Sequence, residues 1–142
     1  MGIRRKAREI ALQFLFQRDF QQQQGDCRSL DEEFALFKQS FETAKKSIPY
    51  ATQLLTGICE RLAELDEYIV NHSHNWRLNR MSVIDRNILR VAIYEMRFGA
   101  DIPARVAINE AVEIAKRFGS EDSAAFINGI LDGVRKSIDS PS

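Results

Sequence analysis

Between its three prolines and seven glycines the chain carries apolar residues at spacings of three and four rather than in alternation, the period of an amphipathic helix and not of a half-buried strand. The first such segment runs from Arg4 to about Gln24. Ala7, Ile10, Ala11, Phe14 and Leu15 fall on one face of it and Leu12, Phe16 and Phe20 on another, with Gly25 placed as a C-cap. A second helix is predicted after Ser29, where Glu32 three residues on suggests a capping box; Phe34, Phe37 and Phe41 follow at helical spacing and the segment stops before Pro49. Pro49 suits the first turn of a third helix, whose apolar positions Leu54, Leu55, Ile58, Leu62, Leu65 and Ile69 reach about Asn71.

A polar stretch from His72 to Arg80, with Trp76 inside it, separates this half from the next. Ser82 caps a helix through Val83, Ile84, Ile88, Val91 and Tyr94 that ends at Gly99, and Pro103 opens another through Ala107, Ala111, Ile114, Ala115 and Phe118 to Gly119. Asp122 or Ser123 caps the last, through Phe126, Ile127, Ile130, Leu131 and Val134; the tail from Asp139 to Ser142 should fray. The pattern therefore predicts an all-α chain: two packed three-helix bundles forming one compact body, residues 1–75 and 76–142.

Length adds that no staple is required. A chain of 142 residues, 44% apolar and 28% charged, buries about 70% of its unfolded surface. The apolar run Ile10 to Phe16 is broken by Gln13 and followed by Gln17 and Arg18, too short and polar for a secretory or membrane segment, which places the protein in the cytoplasm. Met1-Gly2 lacks the Ser or Thr at the sixth position that myristoylation wants; Lys6 stands there. Cys27 and Cys59 show no CxxC spacing and read as two reduced thiols. The sequon Asn71-His72-Ser73 then carries no meaning.

No nucleophile with a base, metal cluster or phosphate-cradling glycine loop is evident, so neither an enzyme nor a cofactor is expected. His72 and His74 have no third His to complete a metal site. The adjacent carboxylates Asp66-Glu67 and Glu121-Asp122 need no catalysis to explain them, the second pair serving as a helix cap.

Charge is balanced overall, 20 basic against 20 acidic side chains, but not locally. Residues 1–24 hold five basic and two acidic side chains, as do residues 76–98; residues 25–75 hold five against nine and residues 99–142 five against seven. Arg4, Arg5, Lys6 and Arg8 crowd a helix N-terminus, where each opposes the macrodipole at about 0.3–1 kcal/mol. A phosphate backbone would meet both the amides and these side chains. At 100° per residue Arg5, Leu12 and Phe16 share a face, so a basic start leads to a ring on which a single-stranded base could stack. The bland alternative is a solvated arm with Phe16 in the core. Arg86, Arg90 and Arg97 form a second stripe, either a docking face or a salt-bridged seam.

The C-terminal half then carries a specific resemblance. The run Ile84-Asp85-Arg86-Asn87-Ile88-Leu89-Arg90-Val91-Ala92-Ile93-Tyr94-Glu95, the segment Val106 to Gly119 with Ile102-Pro103 before it, and Phe126-Ile127-Asn128-Gly129-Ile130-Leu131-Asp132 resemble the NusB family of bacterial transcription antitermination proteins. Arg4-Arg5-Lys6-Ala7-Arg8-Glu9 with Ala11, Leu12, Gln13 and Leu15 looks like that family's opening, while residues 21–75 match only in general pattern. The resemblance implies two three-helix bundles that bind the boxA element of ribosomal-operon leader RNA. It also implies a heterodimer with NusE, and entry of that pair into the NusA- and NusG-containing RNA polymerase complex, without catalysis.

Carried across by position, Arg4, Arg5, Lys6 and Arg8 match the RNA-binding arm, and Phe16 stands where some members have tyrosine, keeping stacking but not a hydroxyl contact. The loop from Gly119 to Ser123, with Asp122, and the ring of Phe126 correspond to a second RNA-contacting region. Asp122 near phosphates tempers affinity or reads a base through its oxygens. Asp85, Arg86 and Arg90 look like part of the NusE-docking surface. Four phosphate contacts would give a salt slope near −3, at about −0.7 each. The same fold resembles the RNA-binding domain of ribosomal RNA cytosine methyltransferases, a rival that the chain's length disfavours, and a protein-binding adaptor is a third reading. A homodimer that buries the basic arm is also compatible with the sequence.

Overall fold

A computed structural model describes residues 2–20, 27–73, 78–99 and 101–139. Gln21 to Gly25, His74, Trp76, the Phe20 side chain and the last three residues, all assigned roles from the sequence above, lie outside the described residues. The described residues are helical without strands, as the 3.6-residue period requires. They form two compact units, Met1–Leu62 and Ala63–Ser142.

The first unit contains α1 (Ile3–Phe20), α2 (Leu30–Phe37), a 3-10 segment (Lys38–Ser47) and α3 (Ile48–Glu60). α1 packs on α3, and the face Ala7, Ile10, Ala11, Phe14 and Leu15 is buried as the periodicity demands. The second predicted helix does not continue to Pro49. Phe41 and Ala44 leave helical dihedrals, and the positions turned inward, Phe41, Ala44 and Ser47, recur every three residues, the period of a 3-10 and not an α-helix. The shift keeps Phe41 in a ring cluster, 5.3 Å from Phe37, which lies 5.1 Å from Phe14. Ser29 precedes α2 without a side-chain cap hydrogen bond, so the expected capping box is not formed.

Cys27 and Cys59 are joined by a disulfide, which corrects the expectation of two reduced thiols. The fold brings their Cα atoms to 6.0 Å, within the span a disulfide bridges. A separation of 32 residues along the chain hides that proximity.

The third predicted helix breaks at Arg61 (φ −119°, ψ 22°), so Pro49 to Asn71 becomes α3 and α4 (Leu62–Asn71). The second unit takes in α4 with α5 (Val83–Phe98), α6 (Ala104–Phe118) and α7 (Ser123–Asp139). The units therefore divide upstream of the 75/76 position drawn from the sequence, because α4 is tied by its polar residues to α5. Arg90 Nε and Nη2 donate to Asp66 Oδ1 and Oδ2 at 2.7 and 2.9 Å, and Arg97 Nε donates to the Tyr68 hydroxyl at 3.2 Å.

The remaining caps follow the sequence. The Ser82 hydroxyl accepts from Asp85 N at 3.0 Å. Gly99 ends α5 where a Cβ would lie 2.5 Å from Glu95 O, so only glycine fits. α6 opens after Pro103, and its three neighbouring core positions Ala111, Ile114 and Ala115 are buried against α5 and α7.

Candidate nucleic-acid interface

The basic turn belongs to α1, which has no acidic residue in its first turn to offset the macrodipole. Aromatic faces lie beneath three of its cations. The Arg4 guanidinium lies 5.0 Å from the centroid of Tyr50 and that of Arg8 6.0 Å from the same ring, while Lys6 Nζ lies 5.7 Å over Phe41. The Ser47 hydroxyl donates to Ile3 O at 2.8 Å and pins the start of α1 to the segment ahead of Tyr50.

These cations differ in access. Arg4 is exposed and Arg5 and Lys6 are half-buried, but Arg8 retains 3% exposure, so it belongs to the packing of the first unit and not to an open arm. The face shared by Arg5, Leu12 and Phe16 is likewise interrupted, because Leu12 is buried. Phe16 remains 40% exposed, the aromatic among the large apolar side chains that the described residues leave open. Leaving that part of the ring in water forgoes about 1 kcal/mol, two-fifths of what full burial of a Phe gives.

In the second unit, a cavity of about 250 Å³ gathers Asp122 and Phe126 with Asp85, Arg80, Met81, Ser82, Ser120 and Ser123. α5 and α7 present their N-terminal turns to it, and the loop between α6 and α7 closes it. That loop is fixed by Ser123, whose hydroxyl accepts from Ser120 N at 2.9 Å, and by Gly119, where a Cβ would come within 2.5 Å of Ser123 Oγ and 2.8 Å of Ala115 O. Asp85 Oδ1 is buried and accepts no hydrogen bond among the described residues. An acceptor left unmade in this way invites a donor from a ligand. Phe126 supplies a ring, Asp85 and Asp122 supply acceptors, and Arg80 supplies a cation.

The three residues expected on a NusE-docking surface thus part company. Asp85 lines the cavity, and Arg86 Nη1 donates to Leu78 O at 3.3 Å. Arg90, at 1% exposure, is sealed in the α4–α5 seam by Asp66 and by Asn87 Oδ1, which accepts from its Nη1 at 3.0 Å. Arg90 is therefore not a surface residue, and at that position the arginine stripe is a salt-bridged seam. His72 is likewise structural: its Nδ1 lies 2.8 Å from Tyr68 O and its ring packs against Gly133. Among the described residues no group of three or more His, Cys, Asp and Glu is arranged to hold a metal, and no helix is long and apolar enough to cross a membrane.

Sequence reasoning passed over Tyr50 and Phe41 beneath the basic turn, Arg80 and Ser82 beside the cavity, and Asp66 as the partner of Arg90. Only the last left a trace: a lone cation between Leu89 and Val91 on an otherwise apolar stretch needs a buried partner.

The pattern that describes the NusB family matches residues 5–136. The chain belongs to the NusB family. It is 48% identical to the transcription antitermination protein NusB of Desulfotalea psychrophila, over 95% of this chain and 96% of that protein. It is 43% identical to that of Myxococcus xanthus, over 99% and 100%. Among solved structures, NusB of T. maritima superposes with a TM-score of 0.80 at 40% identity, over 94% of this chain and 90% of that one. A structure of the antitermination factors NusB and NusE in complex with double-stranded RNA shares the fold, with a TM-score of 0.77 at 24% identity over 96% and 98% of the two chains. These relatives are named as transcription antitermination proteins, and the match to the family takes in Arg5 to Arg8, Phe16, Asp85, Asp122 and Phe126.

Proposed function

We propose that this chain is a transcription antitermination factor that binds boxA RNA of ribosomal RNA operon leaders together with NusE. Through that pair it joins the NusA- and NusG-containing RNA polymerase complex, in the cytoplasm and without catalysing a reaction. The observation that carries the reading is Phe16, an exposed ring on the same helix as the basic turn of Arg4, Arg5 and Lys6. Cations fix a phosphate backbone while a ring takes a base by its π-face, the combination that single-stranded nucleic acid requires.

Asp122 and Phe126 extend the reading to the second unit: the ring stacks a base and the carboxylates of Asp122 and Asp85 accept from an exocyclic amine, which supplies sequence preference where phosphate contacts cannot. For NusE, Arg86 is the part of the expected α5 surface that remains, Asp85 facing the cavity given to RNA and Arg90 being sealed inside. Holding RNA and NusE at once raises the effective concentration of each for the other.

The test is titration of a labelled boxA RNA and a scrambled RNA of equal length, with the chain alone and with purified NusE. Tighter, sequence-preferring binding with NusE is the expected result. With Arg8 buried, about three cations remain, so the logarithm of affinity should fall with that of salt at a slope near −2, at about −0.7 per contact. Equal affinity for both RNAs in both conditions would overturn the proposal, and NusE binding without RNA binding would leave a protein adaptor in its place.

A further inference from the structure

The geometry points to Tyr50 as a positioning residue that holds the basic turn of α1 in its RNA-binding arrangement, an inference that rests on the RNA-binding reading above. Four cations within five residues repel one another and face the positive end of the helix dipole. An aromatic face steadies them: its quadrupole attracts a guanidinium or ammonium over the ring while the ring itself adds no negative charge.

Tyr50 is placed to do this for two cations at once. Arg4 lies 5.0 Å and Arg8 6.0 Å from its centroid, and Phe41 takes Lys6 at 5.7 Å. Tyr50 itself stands in the first turn of α3, just after Ser47, whose hydroxyl ties that turn to Ile3 O. Ring and basic turn are therefore fixed to each other at two points. Arg4 held in this way gives up less side-chain freedom when RNA arrives, and preorganisation of this kind appears as affinity.

The test uses the full chain with Tyr50→Leu and Tyr50→Phe, a short single-stranded boxA RNA, and a series of salt concentrations. Tyr50→Leu is expected to raise Kd about fivefold, the scale of one or two cation–π contacts, and to make the salt slope shallower by about 0.7, one phosphate contact. Tyr50→Phe, which keeps the ring and loses the hydroxyl, is expected to restore both.

A readout without RNA accompanies it: the side-chain protons of Arg4 should show ring-current shifts in the unaltered chain and in Tyr50→Phe that vanish in Tyr50→Leu. Should Tyr50→Leu fail to fold by circular dichroism, Tyr50→Met, whose unbranched chain fills the space without a ring, removes the same contact and carries the same expected loss of affinity and slope. Unchanged affinity and slope in Tyr50→Leu, or a loss in Tyr50→Phe as large as in Tyr50→Leu, would overturn the positioning role. An unaltered chain that binds no RNA at all would instead overturn the function on which it rests.

Discussion

The Arg90–Asp66 pair offers a prediction whose magnitude can be worked from geometry. Arg90 is sealed from water, its Nε and Nη2 both donate to one carboxylate, and Asp66 keeps 20% exposure. Removing Asp66 strands a buried guanidinium with Asn87 Oδ1 among its remaining acceptors, a change that costs about 3–5 kcal/mol. Removing Arg90 is cheaper. In Arg90→Met an unbranched chain fills the space and the abandoned carboxylate, near the surface, can take water, so the cost is about 1–2 kcal/mol.

The double variant Asp66→Ala/Arg90→Met buries no unpaired charge and should lie within about 1 kcal/mol of Arg90→Met. The cycle therefore closes with a coupling of about 3–5 kcal/mol, nearly the whole cost of Asp66→Ala. Urea unfolding followed by circular dichroism reads each corner, and Asp66→Ala should lower Tm by about 10 °C in a chain of this size. A cost below about 1 kcal/mol for Asp66→Ala, or equal costs for the two single variants, would refute the sealed pair. The same variants separate seam from docking face, since Arg90→Met should keep its affinity for NusE at temperatures where it is folded.

Three further outcomes follow from other parts of the structure. Reducing the Cys27–Cys59 disulfide, which closes a span of 32 residues, should lower stability to urea by about 3.5 kcal/mol on the loop-entropy argument; equal midpoints with and without reductant would contradict it. Gly119→Ala should cost about 1–3 kcal/mol by overpacking, because the added methyl meets the backbone oxygen of Ala115 as well as Ser123 Oγ, and a melt unchanged by the substitution would show that the turn has room. Asp132 should titrate below the ordinary carboxylate range, because Arg135 and then Lys136 donate hydrogen bonds to it. A lowered folded pKa gives stability that is present above the unfolded value and lost as pH falls through the folded one, so Asp132→Asn should flatten the acid limb of stability, and an NMR titration at the unfolded value would exclude the effect.

What was legible in the sequence was whatever depends on neighbours along the chain. Burial of Ala7, Ile10, Phe14, Leu54 and Ile58 in the first unit, and of Ile88, Ile114, Ile127 and Val134 in the second, follows from period alone. The Ser82 cap and the stops at Gly99 and Gly119 are likewise local, set by a hydroxyl three residues from an amide or by the lack of a Cβ. The segments that resemble the NusB family are likewise continuous runs. Tertiary structure decided everything that depends on residues far apart. It turned the stretch after Phe37 into a 3-10 segment, broke the third helix at Arg61, joined Cys27 to Cys59, sealed Arg90 with Asp66, and set Tyr50 under Arg4 and Arg8. The physical reason is common to all five: a charge, a thiol or a ring announces its chemistry along the chain, but its partner is chosen only when packing brings distant segments within a few ångströms.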